Sequence, residues 1–397
     1  MNVLLLPSWY PNSVQNNGTF FREQAQFLNS NGMVVKVLMP EELHTKSFLF
    51  QKFKQLIKGN FGGLSTAFMQ QDPEAFSFPL ILQKSWTEEE QFKRLEQSYL
   101  RAFDSLIKLG WTPDVIHVQG TLKSAIGAAA IKKNYNIPYV VIEHSPFHID
   151  VYSSFVQDQI KSTLLAANKV AGVSTYQKNR LLEDGIDRDI EVVWNLMDEA
   201  KFSSTVHSDD SKFVITTITR PVRVKDVDTF FEAVAEFINN IGKPNNIEVV
   251  AVGHNALFDK NANTTYYQQK AESLGILEYC KFHATLSRNE ILNLLQRTHV
   301  YVSTSLDEPY GVAVREAMLC GKPVISTKSG GPDDTINSQN GILVDLKDHS
   351  AIAAFLSEIY HGKRTFDPEY IRNYVISQSG RDAFLKRMKE FYTIIND

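Results

Sequence analysis

Short apolar runs alternate with longer segments of helical period along the whole chain. Val3–Leu6, Val34–Leu38, Val115–Val118 and Tyr139–Ile142 are mostly apolar and bounded by turn residues, the pattern of parallel strands buried on both faces. Phe92, Leu95, Tyr99, Phe103 and Leu106 recur at steps of three and four and lead to Gly110, which predicts a helix with one apolar stripe and a glycine stop. The alternation restarts after Asn195, with strands predicted at Phe213–Ile218, Ile247–Val252, Lys281–Phe282, Val300–Thr304 and Pro323–Ser326. Phe384, Leu385, Met388, Phe391 and Tyr392 share one stripe of a last helix running from Asp382 to Tyr392.

This grammar predicts an α/β protein built of two Rossmann-like domains in tandem. The expected division is 1–198 and 199–377, with polar Ser203–Ser211 as linker and the C-terminal helix, 378–397, packing back on the first domain. Open α/β sheets bind ligands beyond the carboxyl ends of their strands, so the expected site is the cleft between two facing sheets. No repeat of 20–50 residues and no low-complexity tract occurs, which excludes solenoids and propellers.

Composition narrows the class. The 397 residues carry 41 basic and 45 acidic side chains for a formal charge of −4, which argues against a nucleic-acid binder driven by counterion release. Two cysteines, Cys280 and Cys320, are too few for a disulfide framework or a zinc site and point to a reducing compartment. No apolar run of about 18 residues is present, and Met1–Pro7 is too short and uncharged for a secretory signal. The expected location is cytoplasmic, with peripheral contact at the inner face of a membrane.

The densest candidate chemistry lies in Ser305-Leu-Asp-Glu308-Pro-Tyr-Gly311-Val-Ala-Val-Arg-Glu316-Ala-Met-Leu-Cys-Gly321. Pro309 and Gly311 fit a tight turn into a helix running from about Tyr310 to Leu319, with Gly321 as its stop. The amino end of that helix offers unpaired N–H groups to phosphate oxygens. Glu308 and Glu316 would lie roughly 12 Å apart if every step between them were helical, a span that suits an extended polar ligand such as a nucleotide sugar. The alternative reading makes Glu308 a helix-start acid and Glu316 a solvated helix residue. Arg220 and Lys225 occupy the first βα loop of the second half, where their cations can converge on a diphosphate; Arg223 shares the loop, and a merely solvated basic loop is the competing reading.

Glu308-x7-Glu316 with Gly311, and Arg220 five residues before Lys225, closely resemble family 4 of the retaining glycosyltransferases, which have the GT-B fold. The resemblance extends through Gly253, Leu274-Gly-Ile276, Gly321-Lys-Pro-Val324, Gly330-Gly331 and Asn340-Gly-Ile-Leu-Val344 over nearly all of the second half. It implies a nucleoside-diphosphate sugar held mainly by the C-terminal domain, with Glu308 on the sugar, Glu316 on the ribose and Arg220 and Lys225 on the diphosphate. Tyr310 and Val312 would line the diphosphate end through their backbones, and Gly253 belongs to the same donor-binding set. In the first half, Gly18 matches the glycine-bearing loop after the first strand, where many relatives carry two glycines. Glu143-His144-Ser145 resembles the segment whose histidine faces the transferred sugar. Asn195 resembles an interdomain asparagine, and Asp333 and Asp334 stand where many relatives end a Gly-Gly-x-x-Glu motif.

The implied activity is retaining transfer of a hexosyl group to a glycan or lipid-linked glycan acceptor in polysaccharide biosynthesis, with no cofactor and no metal. His117 reads as a sheet-core histidine, and Pro146 breaks the helix that a metal pair of His144 and His148 would need. Residues 46–58 interleave Lys46, Lys52, Lys54 and Lys58 with phenylalanines, as in an amphipathic helix lying on an anionic membrane or as in an ordinary surface helix. Two rival functions remain: a GT-B shell that only binds sugar or scaffolds an assembly, and an NAD-dependent oxidoreductase, which the lack of Gly-x-Gly-x-x-Gly after the first strand disfavours.

Overall fold

The computed structural model describes residues 1–11, 18–43, 72–83, 85–146, 148–204, 211–220, 222–253 and 265–393. The basic stretch 46–58, residues 12–17 before Gly18 and residues 205–210 of the expected linker lie outside the described residues. The chain divides into two compact units, Met1–Val193 with Leu385–Asp397, and Trp194–Phe384.

In the first unit, β1 (Asn2–Pro7), β2 (Val34–Leu43), β3 (Glu74–Ile81), β4 (Val115–Gln119), β5 (Tyr139–Glu143), β6 (Lys169–Gly172) and β7 (Glu191–Val192) form one sheet in the order β3-β2-β1-β4-β5-β6-β7. All its pairings are parallel. In the second unit, β8 (Phe213–Ile218), β9 (Ile247–Val252), β10 (Cys280–His283), β11 (Val300–Ser303), β12 (Val324–Thr327) and β13 (Gly341–Val344) form a parallel sheet in the order β10-β9-β8-β11-β12-β13. Both repeat the doubly wound order, in which winding reverses between the first and fourth strands. In open sheets of this order ligands bind beyond the strand ends at the reversal points, here β1/β4 and β8/β11.

The predicted strands exist, β8 and β9 with unchanged ends and the others shifted by one to five residues, whereas β3, β6, β7 and β13 were not predicted. Ser77 and Pro79 interrupt the apolar run of β3, which proline tolerates because β3 is an edge strand. β6 is only Lys169-Val-Ala-Gly172. The helical stripe is as read: Glu88–Lys108 begins with a capping box between Thr87 and Glu90 and buries Leu95, Tyr99, Phe103 and Leu106. The last helix spans Arg381–Tyr392. From Leu385 onward it belongs to the first unit, where Lys169 Nζ donates to the Glu390 carbonyl at 2.9 Å and the Tyr392 hydroxyl lies 2.8 Å from His117 Nδ1. Among the described residues, no helix is long and apolar enough to cross a membrane.

Candidate active site

The second unit gathers its candidate residues at the β8/β11 reversal. The loop after β8 is a 3-10 turn, Arg223–Lys225, followed by Asp226 in the left-handed region. It is sewn to the loop after β11: Leu306 N–H donates to the Val224 carbonyl at 2.7 Å, and Thr304 Oγ1 donates to the Asp226 carbonyl at 2.9 Å. Lys225 thereby points along the neighbouring strand end, and its Nζ donates to Glu308 Oε2 at 2.6 Å. Arg220 is exposed at the start of the same loop, and among the described residues its guanidinium has no partner. Gly253 sits behind it. A Cβ there would lie 1.8 Å from the Thr219 carbonyl oxygen, so glycine is required for the ends of β8 and β9 to approach each other.

Glu308 is held on its other side by the loop after β12. Its N–H donates to the Ser329 carbonyl at 2.9 Å, and its carbonyl accepts from Gly331 N–H at 2.7 Å. The helix begins later than the sequence suggested, at Val312, and ends at Leu319. Glu308, Pro309 and Tyr310 are bridge and turn, because Gly311 adopts φ 82° and sets the helix axis anew. The eight-step helical span between Glu308 and Glu316 therefore does not exist. Glu308 Oε1 instead accepts from Gly311 N–H at 2.9 Å. Among the described residues no side chain caps the helix start itself, and Val312 is exposed upon it. The Tyr310 side chain points inward and donates to the Asn195 carbonyl at 2.8 Å, so only the backbone of this residue faces the turn.

In the first unit, Gly18 starts helix Thr19–Ser30 with φ 84°, packed on Trp9 and Tyr10. His144 follows β5 and meets Phe21 edge-on at 4.8 Å between ring centres, with Phe20 at 5.6 Å. Its backbone is set by Glu143, a fully buried acid whose Oε1 accepts from the N–H groups of His144 and Ser145 at 2.9 Å each. Oε2 of the same carboxylate accepts from Thr121 N–H at 2.8 Å. One acid thus ties the ends of β4 and β5 together.

The group 1 glycosyl transferase model matches residues 198–376, and the glycosyltransferase family 4 model matches residues 74–201. The chain belongs to glycosyltransferase family 4. Sucrose-phosphate synthase 4 of Arabidopsis thaliana is 25% identical over 216 residues, 48% of this chain and 20% of that protein, and the Zea mays sucrose-phosphate synthase is 27% identical over 193 residues, 43% and 18%. The matched stretch is about a fifth of the length of these curated relatives. Among solved structures, Anabaena HepE in complex with UDP has 18% identity and a TM-score of 0.73 over 100% of both chains. The sucrose-phosphate synthase of Thermosynechococcus elongatus has 17% identity and a TM-score of 0.71 over 99% and 98%. These structures are GT-B glycosyltransferases, and two Rossmann-like domains are the fold of this chain.

Two arginines of this family 4 glycosyltransferase escaped the sequence reading. Glu316 is buried, not solvated, and takes an ion pair from Arg288 at the start of helix Arg288–Arg297. Arg288 also lies over the Phe202 ring at 5.3 Å. Arg315 is wholly buried. Its Nη1 donates to the Tyr310 carbonyl, and its Nη2 to Thr335 Oγ1 at 2.5 Å and the Gly331 carbonyl at 3.2 Å. Its guanidinium stacks 3.9 Å from the Tyr310 ring centre. Burial lowers its pKa, yet arginine keeps its charge in proteins. A charged residue within Val-Arg-Glu-Ala-Met was the only signal for it, and it reads equally as a solvated position.

The remaining candidates have local partners. His117 is in the sheet core, where burial pushes its imidazole down to about 3. His148 Nδ1 lies 3.0 Å from Arg180 Nη2. Asp333 Oδ1 accepts from Gly330 N–H at 3.3 Å, closing its own turn, and burial raises its carboxyl above the usual range. Burial pushes both cysteine thiols up to about 12, as for packed sulfur rather than a nucleophile.

Proposed function

We propose that this glycosyltransferase moves a hexosyl group from a nucleoside-diphosphate sugar to a glycan or lipid-linked glycan acceptor, with retention at the anomeric carbon and without a metal. The observation that carries this reading is the Lys225–Glu308 pair at 2.6 Å beside an uncapped helix start. A fixed positive charge and a helix start that no side chain caps among the described residues meet there with a carboxylate able to accept from sugar hydroxyls.

As the anomeric C–O bond breaks, its electron pair passes to the departing diphosphate oxygen. Lys225, Arg220 and the backbone at Gly311 and Val312 stabilise that charge in place of a divalent cation. The incoming hydroxyl forms the new C–O bond on the same face and gives its proton to the leaving phosphate. Glu308 takes the donor sugar and Glu316 the ribose, while Gly18, Gly253 and Tyr310 give backbone to the donor-binding loops. We assign His144 to the transferred sugar on the sequence resemblance. HepE of the same fold was solved with UDP-glucose, which supports a nucleotide-sugar donor and makes UDP-sugars the first to test.

A thermal-shift panel of UDP-, GDP- and ADP-sugars tests the reading, since a ligand of the native state raises apparent stability. One class should raise Tm, and NMR of the product formed in EDTA should show the donor's anomeric configuration. No shift with any nucleotide sugar, or donor hydrolysis equal in wild type and Glu316→Ala, would favour a non-catalytic sugar-binding shell.

A further inference from the structure

We propose that Arg315 is a positioning residue for the donor diphosphate: a buried permanent cation that locks the Glu308 turn against the Gly331 turn and makes the helix start above it selective for anions. This rests on the donor reading given above and extends it to a side chain that the ligand need not touch.

Helix Val312–Leu319 buries Val314, Arg315, Glu316, Ala317, Met318 and Leu319, so the Arg315 guanidinium has given up its hydration. Placing a guanidinium there costs free energy that hydrogen bonds and nearby negative groups must offset. Its direct partners are two carbonyls, one hydroxyl and one ring face, all neutral. Nε makes no hydrogen bond. Among the described residues no carboxylate forms an ion pair with it; Asp334 and Glu308 act on it only through their fields.

The charge lies close to one turn. A Cβ built on Gly311 would lie 3.6 Å from Arg315 Nη1, so the cation sits directly beneath the turn whose N–H groups start helix Val312–Leu319. Helix start and cation then act with the same sign on anything seated there. The hydrogen bonds add geometry: Tyr310 and Gly331 are pinned by one fork, and Thr335 continues the chain to Gln378 Oε1 at 3.0 Å. A ligand phosphate would meet a preorganised positive turn rather than one that must rearrange.

The test is calorimetric binding to the full chain of whichever of UDP, GDP and ADP the wild type takes, and of the matching nucleoside. Arg315→Met should weaken the diphosphate about 10-fold or more, equivalent to ~1.4 kcal/mol, and the nucleoside less than about twofold, with the diphosphate loss shrinking at high salt. Arg315→Lys should recover most of the affinity by keeping the charge. Equal losses for diphosphate and nucleoside, or unchanged diphosphate affinity, would overturn the proposal while leaving the donor reading intact. Failure of wild type to bind any of the three would overturn both. Should Arg315→Met not fold by circular dichroism, Arg315→Lys against Arg315→Gln makes the same comparison, and equal diphosphate affinities in those two would overturn it.

Discussion

Lys225 and Glu308 are 83 residues apart in sequence and 2.6 Å apart in space. The contact exists because β8 and β11 are neighbours at the winding reversal, so the loops that follow them leave adjacent strand ends and are hydrogen-bonded to each other. The other oxygen of the Glu308 carboxylate accepts from Gly311 N–H. One carboxylate answers the lysine and the turn together.

Lys225→Ala should weaken nucleoside diphosphate binding about tenfold while leaving nucleoside binding nearly unchanged, because a point charge acts on phosphate and not on base or ribose. Titration calorimetry with both ligands checks it. Equal losses would show that Lys225 faces something other than the diphosphate.

Glu308→Gln separates catalysis from binding. The amide retains an acceptor for Gly311 N–H but frees the lysine, so nucleoside diphosphate should bind as well or roughly two- to fivefold more tightly, the worth of a partly buried pair. Sugar transfer should fall by at least about 100-fold if the carboxylate works on the donor sugar. Transfer at wild-type rate would remove Glu308 from the chemistry.

Arg288→Ala takes the guanidinium from the buried Glu316 carboxylate. Arg288 is itself substantially exposed, so solvent screening limits the loss of stability to about 1 kcal/mol. Nucleoside affinity should drop several-fold as the proposed ribose contact loses its brace. An unchanged affinity would mean that Glu316 needs no help from Arg288 to hold its place.

His117 gives a dependence on pH. The unfolded chain takes up an imidazole proton near pH 6.5, which the folded protein refuses until about 3. Its contribution to stability is therefore complete above about 6.5 and is lost as pH falls toward 3. Urea unfolding should show about 2 kcal/mol more loss between pH 7 and pH 5 in wild type than in His117→Gln. Parallel losses would place the acid sensitivity elsewhere.

Apolar periodicity was enough to mark most strands, the Glu88–Lys108 helix and the last helix, since burial on a fixed period leaves its imprint on local sequence. It could not mark β6, whose four residues carry no period, nor the break between Tyr310 and Val312, which depends on Gly311 taking a left-handed conformation. Glu143 and Arg315 read as ordinary polar residues because hydration is the default for a charge, and only neighbours from distant strands reveal that these two are buried.

The residues themselves determined the class of chemistry: a paired-glutamate turn, two cations in one loop, and glycines where backbone must approach backbone. Tertiary structure decided who meets whom. Pairings such as Lys225 with Glu308, Arg288 with Glu316 and Arg315 with Tyr310, Gly331 and Thr335 arise from strand order and loop stitching, in which direction and desolvation act over distances that no local window of sequence records.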